Sequence, residues 1–108
     1  MNFEVSTIPT FDRQAKRLGK KYPSLKDDLK NLVHKLGDNP FQGTPLGNNF
    51  FKIRLAIASK GRGKSGGARV ITFVKVQKKT VYLSTLFDKT EKANITWKEL
   101  EQIFTSIP

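Results

Sequence analysis

Asp38 and Asp88 bracket a stretch with no carboxylate, yet it holds Lys52, Arg54, Lys60, Arg62, Lys64, Arg69, Lys75, Lys78 and Lys79. Unmixed cations of this kind suit a polyanion, because Lys and Arg neutralise phosphates directly. The residues before this stretch are different. There Glu4, Asp12, Asp27 and Asp28 are interspersed with the basic residues, as on ordinary solvated helix faces. Over the whole chain, 20 Lys and Arg against 9 Asp and Glu leave a net charge of +11, so nucleic acid is the leading class of partner.

The residue types limit the chemistry. With no Cys and only one His, His34, a disulfide framework and a thiolate metal site are excluded, and a catalytic zinc centre is not expected. His34 falls off the apolar stripe of its predicted helix, where nothing would orient it as a base. The segment SKGRGKSGGAR, Ser59 to Arg69, holds Gly63, Lys64 and Ser65 in the order of a phosphate-cradling loop. That motif also needs a Gly where Ala58 stands and a helix where a strand follows, so ATP or GTP hydrolysis is not expected. What the glycines do allow is close approach to a phosphodiester, with Lys60, Arg62 and Lys64 to neutralise it. RNA brings its own nucleophile, the 2′-hydroxyl, so positioning and cationic charge are sufficient to cleave it.

Such residues need a rigid frame, and hydrophobic periodicity supplies one. Asn2 to Ser6 reads as a short strand, and Pro9 then opens a helix carrying Phe11, Ala15 and Leu18 on one stripe. Ser24 caps a second helix with Leu25, Leu29, Leu32, Val33 and Leu36 along its apolar side, ending at Gly37. In Phe50 to Ile57, Phe51, Ile53, Leu55 and Ile57 share one face while Phe50, Lys52, Arg54 and Ala56 share the other. Arg69 to Val76 repeats this, with Val70, Thr72 and Val74 inward and Arg69, Ile71 and Phe73 opposite. Thr80 to Phe87 is apolar on both faces, as a central strand would be. Thr96 and Glu99 have capping-box spacing before a final helix to Ile107.

The predicted fold is one α+β domain over 1–108, within the size range of a single core. A small antiparallel sheet, made of the N-terminal strand and a three-stranded meander, is backed by a helical hairpin and followed by a short C-terminal helix, with the helices on one sheet face. No apolar run is long enough to cross a bilayer and no leader precedes the first strand, which predicts a soluble cytoplasmic protein.

The segments FKIRLAIASKGRGKSGGARVITF and VYLSTLFDKTEK, with KRLGKKYPSLKDDL and NPFQGTPLG before them, resemble the RelE/HigB branch of the RelE/ParE toxin superfamily of bacterial type II toxin-antitoxin modules. The resemblance covers nearly the whole chain. It implies an mRNA interferase, that is, a metal-independent, ribosome-dependent endoribonuclease that blocks translation and is neutralised by a cognate acidic antitoxin. By position, Lys52 and Arg54 match two basic residues of the family's second strand, Arg69 the arginine opening the third, and Lys89 a basic residue after the fourth. The implied roles give Lys52 or another lysine the 2′ proton and give Arg69 the scissile phosphate, with Arg54 and Lys89 neutralising charge. Phe87 stands where a related motif has Tyr. It can stack on a base but cannot exchange a proton, and its parity with Val81, Leu83 and Thr85 equally suits a core aromatic. Two alternatives stay open: the resemblance also implies a ParE-like poison of DNA gyrase, since that branch of the superfamily shares the fold, and the charge and basic loop alone would suit a plain RNA- or ribosome-binding protein.

Overall fold

The computed structural model describes residues 2–61 and 66–108. In chain order the elements are β1 (Glu4–Thr7), α1 (Pro9–Lys21), α2 (Leu25–Asp38), β2 (Thr44–Gly47), β3 (Phe50–Leu55), β4 (Ala68–Lys75), β5 (Thr80–Asp88) and α3 (Trp97–Thr105). Single 3₁₀ turns at Ala58–Lys60 and Val76–Lys78 connect the strands of the meander. One five-stranded sheet runs in the order β1-β5-β4-β3-β2.

The hairpin forms as the periodicity predicts. Phe11 and Leu18 of α1 and Leu25, Leu32 and Leu36 of α2 are buried against the sheet, whereas Val33 sits at the margin of its stripe, 36% exposed. From β4 and β5 come Val70, Val74, Val81, Leu83 and Leu86, all buried. Each such aliphatic side chain contributes roughly 1.5 to 3 kcal/mol on leaving water. α1 also seals the sheet where β1 stops. β1 pairs with β5 only as far as Thr7 opposite Leu83, and beyond it Gln14 Oε1 accepts from Leu86 N–H at 2.8 Å and from the Thr85 hydroxyl at 3.0 Å. A backbone donor that would otherwise be orphaned is thereby satisfied.

The α+β class, the hairpin, the meander and the short final helix are all present; two features add to that expectation, and the placing of all helices on one sheet face is corrected. β1 joins the sheet parallel to β5, with Glu4 opposite Thr80, while the other pairs are antiparallel. β2 is an additional strand, turned onto β3 through Asn48 and Asn49 with φ of 53° and 66°, a left-handed conformation that asparagine tolerates better than most residues. Finally, α3 packs on the sheet face opposite the hairpin. There Phe104 meets Phe73 edge-on at 5.6 Å, and Phe73 lies 5.0 Å from Phe50.

Beneath the helical hairpin, the buried Thr72 hydroxyl has no hydrogen-bond partner. A buried unsatisfied hydroxyl is destabilising by about 1 kcal/mol or more, so Thr72→Val is expected to raise the free energy of unfolding by about that amount, read as a higher urea midpoint with an unchanged slope of the transition.

Candidate functional site

The strand register draws the basic residues into rows across the second face of the sheet. Arg54 pairs with Arg69 on β4, and Arg69 pairs with Phe87 on β5. Lys52, Ile71 and Thr85 form the next row, and Phe50, Phe73 and Tyr82 the one after. α3 covers the aromatic row, leaving the Arg54 row beside the helix start. Directly opposed residues stand about 5 Å apart and successive rows about 7 Å apart, so Lys52, Arg54 and Arg69 lie within the span of a single phosphodiester linkage and its neighbours.

Phe87 reaches this row through an irregularity. The β4–β5 register shifts between Ile71 and Thr72, which pair with Thr85 and Leu83, so Ser84 is an extra residue in β5. A bulge of this kind reverses the alternation beyond it. Phe87 therefore shares a face with Thr85 but not with Val81 and Leu83, which point to the hairpin. The ring is 6% exposed, with Lys92 Nζ 5.9 Å from its centroid. As placed, Phe87 supports the row from below and has no open face for a base.

The other predicted residues occupy distinct environments. Arg54 is exposed and Lys52 half-buried, with Lys52 Nζ donating to Asn94 Oδ1 at 3.4 Å. Arg69 is only 4% exposed, and its Nη1 donates to the Ala68 carbonyl at 3.1 Å. Burial first, and then the neighbouring charge of Arg54, hold its pKa below the usual guanidinium value. It is a fixed cation at the floor of the row, with Arg54 above it. Lys89 is exposed just past β5; its N–H donates to the Gly67 carbonyl at 3.2 Å, and its Nζ lies 3.5 Å from the Ala93 carbonyl. Gly67 is required here by close approach, because a Cβ would lie 2.0 Å from the Leu55 carbonyl oxygen. His34 is exposed on α2.

Lys60 is not brought to the row. Its Nζ lies 2.7 Å from Asp88 Oδ1 and 5.3 Å from the centre of the Tyr22 ring, and its side chain is 9% exposed. Asp88 is fully buried and also accepts from the Tyr22 hydroxyl at 2.6 Å, Thr90 N–H at 3.0 Å and the Thr90 hydroxyl at 2.8 Å. Burial alone raises the Asp88 pKa, but the hydrogen bonds from Lys60, Tyr22 and Thr90 outweigh it and leave the carboxyl well below its usual range. Being next to Phe87 in the strand, Asp88 faces the hairpin side of the sheet. Lys60 is thus a buried counter-ion on the far side from Arg54. Arg62 and Lys64, the other loop cations expected to meet RNA, lie outside the described residues.

Sequence reasoning missed Lys92 and Asn94, which a loop after β5 folds back over the row. It also missed Trp97, whose ring is exposed at the start of α3 and lines, with Asn48, Phe50, Leu100, Glu101 and Phe104, an apolar cavity of about 310 Å³. The capping box at Thr96 and Glu99 was the one sequence signal that pointed to this region. It is formed, with Glu99 N–H donating to Thr96 Oγ1 and Thr96 N–H donating to Glu99 Oε1. Among the described residues, no group of His, Asp or Glu side chains is placed to hold a metal ion.

Comparison with known proteins decides the family. The model of the RelE toxin of the RelE / RelB toxin-antitoxin system matches residues 9–106. The chain belongs to this RelE toxin family. Among solved structures, a mutant of the E. coli toxin RelE in the free state shares the fold with a TM-score of 0.62 at 15% identity, over 98% of this chain and 94% of that one. As the toxin of a toxin-antitoxin pair, this RelE-type protein has an antitoxin partner, and no helix of the described residues is long and apolar enough to cross a membrane.

Proposed function

We propose that this toxin is a ribosome-dependent endoribonuclease that cuts messenger RNA through the 2′-hydroxyl of the RNA itself. The observation that carries the reading is the Arg54–Arg69–Phe87 row with Lys52 beside it, a fixed cationic surface with no acidic side chain in its strands until Asp88, which faces away. As the 2′ oxygen bonds to phosphorus, the bond from phosphorus to the 5′ oxygen breaks, leaving a 2′,3′-cyclic phosphate and a 5′-hydroxyl. The 2′ proton passes to water, or to Lys52 when its side chain is the neutral amine, and the 5′ oxygen takes a proton from solvent. Arg69 and Arg54 stabilise the charge that builds on the phosphate oxygens, and Lys89 adds to the field. Arg62 and Lys64 contribute phosphate contacts that hold the message and ribosome. Phe87 serves as the platform beneath the row and does not itself stack on a base. The chain works as a single domain in the cytoplasm and needs no cofactor. Primer extension on messages translated with and without the toxin tests this reading: cuts confined to translated messages support it, whereas intact messages together with trapped gyrase–DNA complexes would favour a ParE-like poison.

The same surface suits an acidic antitoxin. With +11 net charge and its unmixed cations in β3 and β4, complementary charge accelerates association and is screened by salt. Lys52→Glu with Arg54→Glu is expected to slow antitoxin association at least tenfold at low salt and to flatten its salt dependence, measured by stopped-flow mixing. Association as fast as the parent's would place neutralisation elsewhere.

A further inference from the structure

The cationic row ends at β5 in a phenyl ring with no polar group, and Lys92 places an ammonium over that ring. We propose that Lys92 is a further catalytic cation of the cleavage reaction, meeting the phosphate at the β5 end of the row, and that Glu99 is the residue that positions it. The inference rests on the RNA-cleaving reading above and adds to it a residue that neither periodicity nor the family resemblance assigned.

The placement of Lys92 is built from several directions. Glu91 and Lys92 both donate their N–H groups to the Asp88 carbonyl at 3.0 Å, closing a turn directly after Phe87. Arg17 on α1 holds that turn through Glu91, Nη2 to Oε1 at 3.0 Å. Lys92 Nζ then lies over the Phe87 ring, 5.9 Å from its centre, and pairs with Glu99 Oε2. Glu99 is itself fixed, because its other oxygen and its N–H are both engaged with Thr96 in the capping box of α3. Its pKa is lowered, first by Lys92 and then by the Thr96 N–H, so it remains an anion at neutral pH. A lysine held this way loses little conformational freedom on meeting substrate.

Its position suits the reaction. Phe87 is the direct cross-strand neighbour of Arg69, and Arg69 of Arg54, so Arg54, Arg69 and Lys92 form three cations in a line across β3, β4 and the loop after β5. The side chain of Lys92 is 38% exposed, and RNA can reach it where the more deeply set Arg69 acts from below. As the P–O2′ bond forms and the P–O5′ bond breaks, negative charge grows on the phosphate oxygens and on O5′. Lys92 exchanges its contact with Glu99 for one with those oxygens, keeps its own protons and stabilises the charge as it appears. The 2′ proton leaves by the route already described.

Single-turnover cleavage of a message on programmed ribosomes by the full chain tests the proposal. Lys92→Ala is expected to lower the rate roughly 100-fold with half-saturation changed by less than about twofold, and Lys92→Arg to restore most of it. Lys92→Gln, which keeps part of the stem and can still hydrogen-bond Glu99, should fall as far as the alanine variant while melting at the parental temperature. Glu99→Gln preserves the capping box, since Gln serves at that position, and is expected to lower the rate roughly tenfold through misplacement of Lys92. If the parent cuts and both Lys92→Ala and Lys92→Gln cut at its rate, whatever their melting temperatures, Lys92 is structural and the proposal is wrong. If the parent itself leaves the message intact, the RNA-cleaving reading falls and takes this inference with it.

Discussion

Replacing Arg69 by Met is expected to lower message cleavage by roughly 100- to 1,000-fold and to abolish growth arrest on expression. A pre-positioned donor aimed at the charge of a transition state has this order of effect when removed. Arg69 is more firmly placed than its neighbours, 4% exposed in the middle strand of the row and bonded to the Ala68 carbonyl. Met retains the buried stem, so the loss reports the guanidinium rather than a cavity. Arg69→Lys should fall between the two, keeping a charge but not the planar fork that grips two phosphate oxygens. Thermal melts of the same samples separate a catalytic loss from unfolding. Full toxicity in a folded Arg69→Met protein would remove Arg69 from the site.

The largest effect on stability is expected at Asp88. In Asp88→Asn, Lys60 is left with its ammonium buried and no counter-charge, and breaking a buried pair from one side costs roughly 3 kcal/mol. For a domain of this size that is a fall in Tm of more than about 10 °C. Changing both partners, Lys60→Met with Asp88→Asn, should recover a large part of it, because no charge is then stranded. The pH dependence has a definite sign. The folded carboxyl titrates below its unfolded value, so its contribution is complete above the ordinary Asp pKa of about 3.9 and is lost as the pH falls through that value toward the depressed one. The gap between parent and Asp88→Asn in urea melts should therefore be constant near neutrality and narrow below about pH 4. A gap that stays constant down to pH 2.5 would show that the carboxylate charge is not what holds Lys60.

Much of this arrangement is visible in the sequence because it is local. The stripes of α1 and α2, the alternation that puts Lys52 and Arg54 opposite Ile53 and Leu55, and the Thr96–Glu99 cap each depend on residues a few positions apart. Gly19 with Pro23 after it reads in the sequence as a helix stop, yet α1 runs on to Lys21, since one exposed glycine weakens a packed helix without ending it. What depends on partners far along the chain was not legible. Strict alternation places Phe87 with Val81 and Leu83, and the extra residue at Ser84 moves it to the side of Arg69. Thr44–Gly47 contains a proline and a glycine that count against a strand, although the Asn48–Asn49 pair after it is a turn signal that could have been read. Lys60 looks like every other loop cation until the fold places a buried Asp88 2.7 Å away. Lys92 belongs to the candidate site only because the turn after β5 folds back over Phe87.

The central claim is that the row of cations acts on RNA through its 2′-hydroxyl, and one substrate tests it most directly. A message carrying a single 2′-deoxynucleotide immediately 5′ to the mapped cut, placed on programmed ribosomes with the toxin, should resist cleavage at that linkage, while the all-ribose message is cut there to give a 2′,3′-cyclic phosphate end. Cleavage of the deoxy-substituted linkage at the rate of the unmodified one would contradict the account.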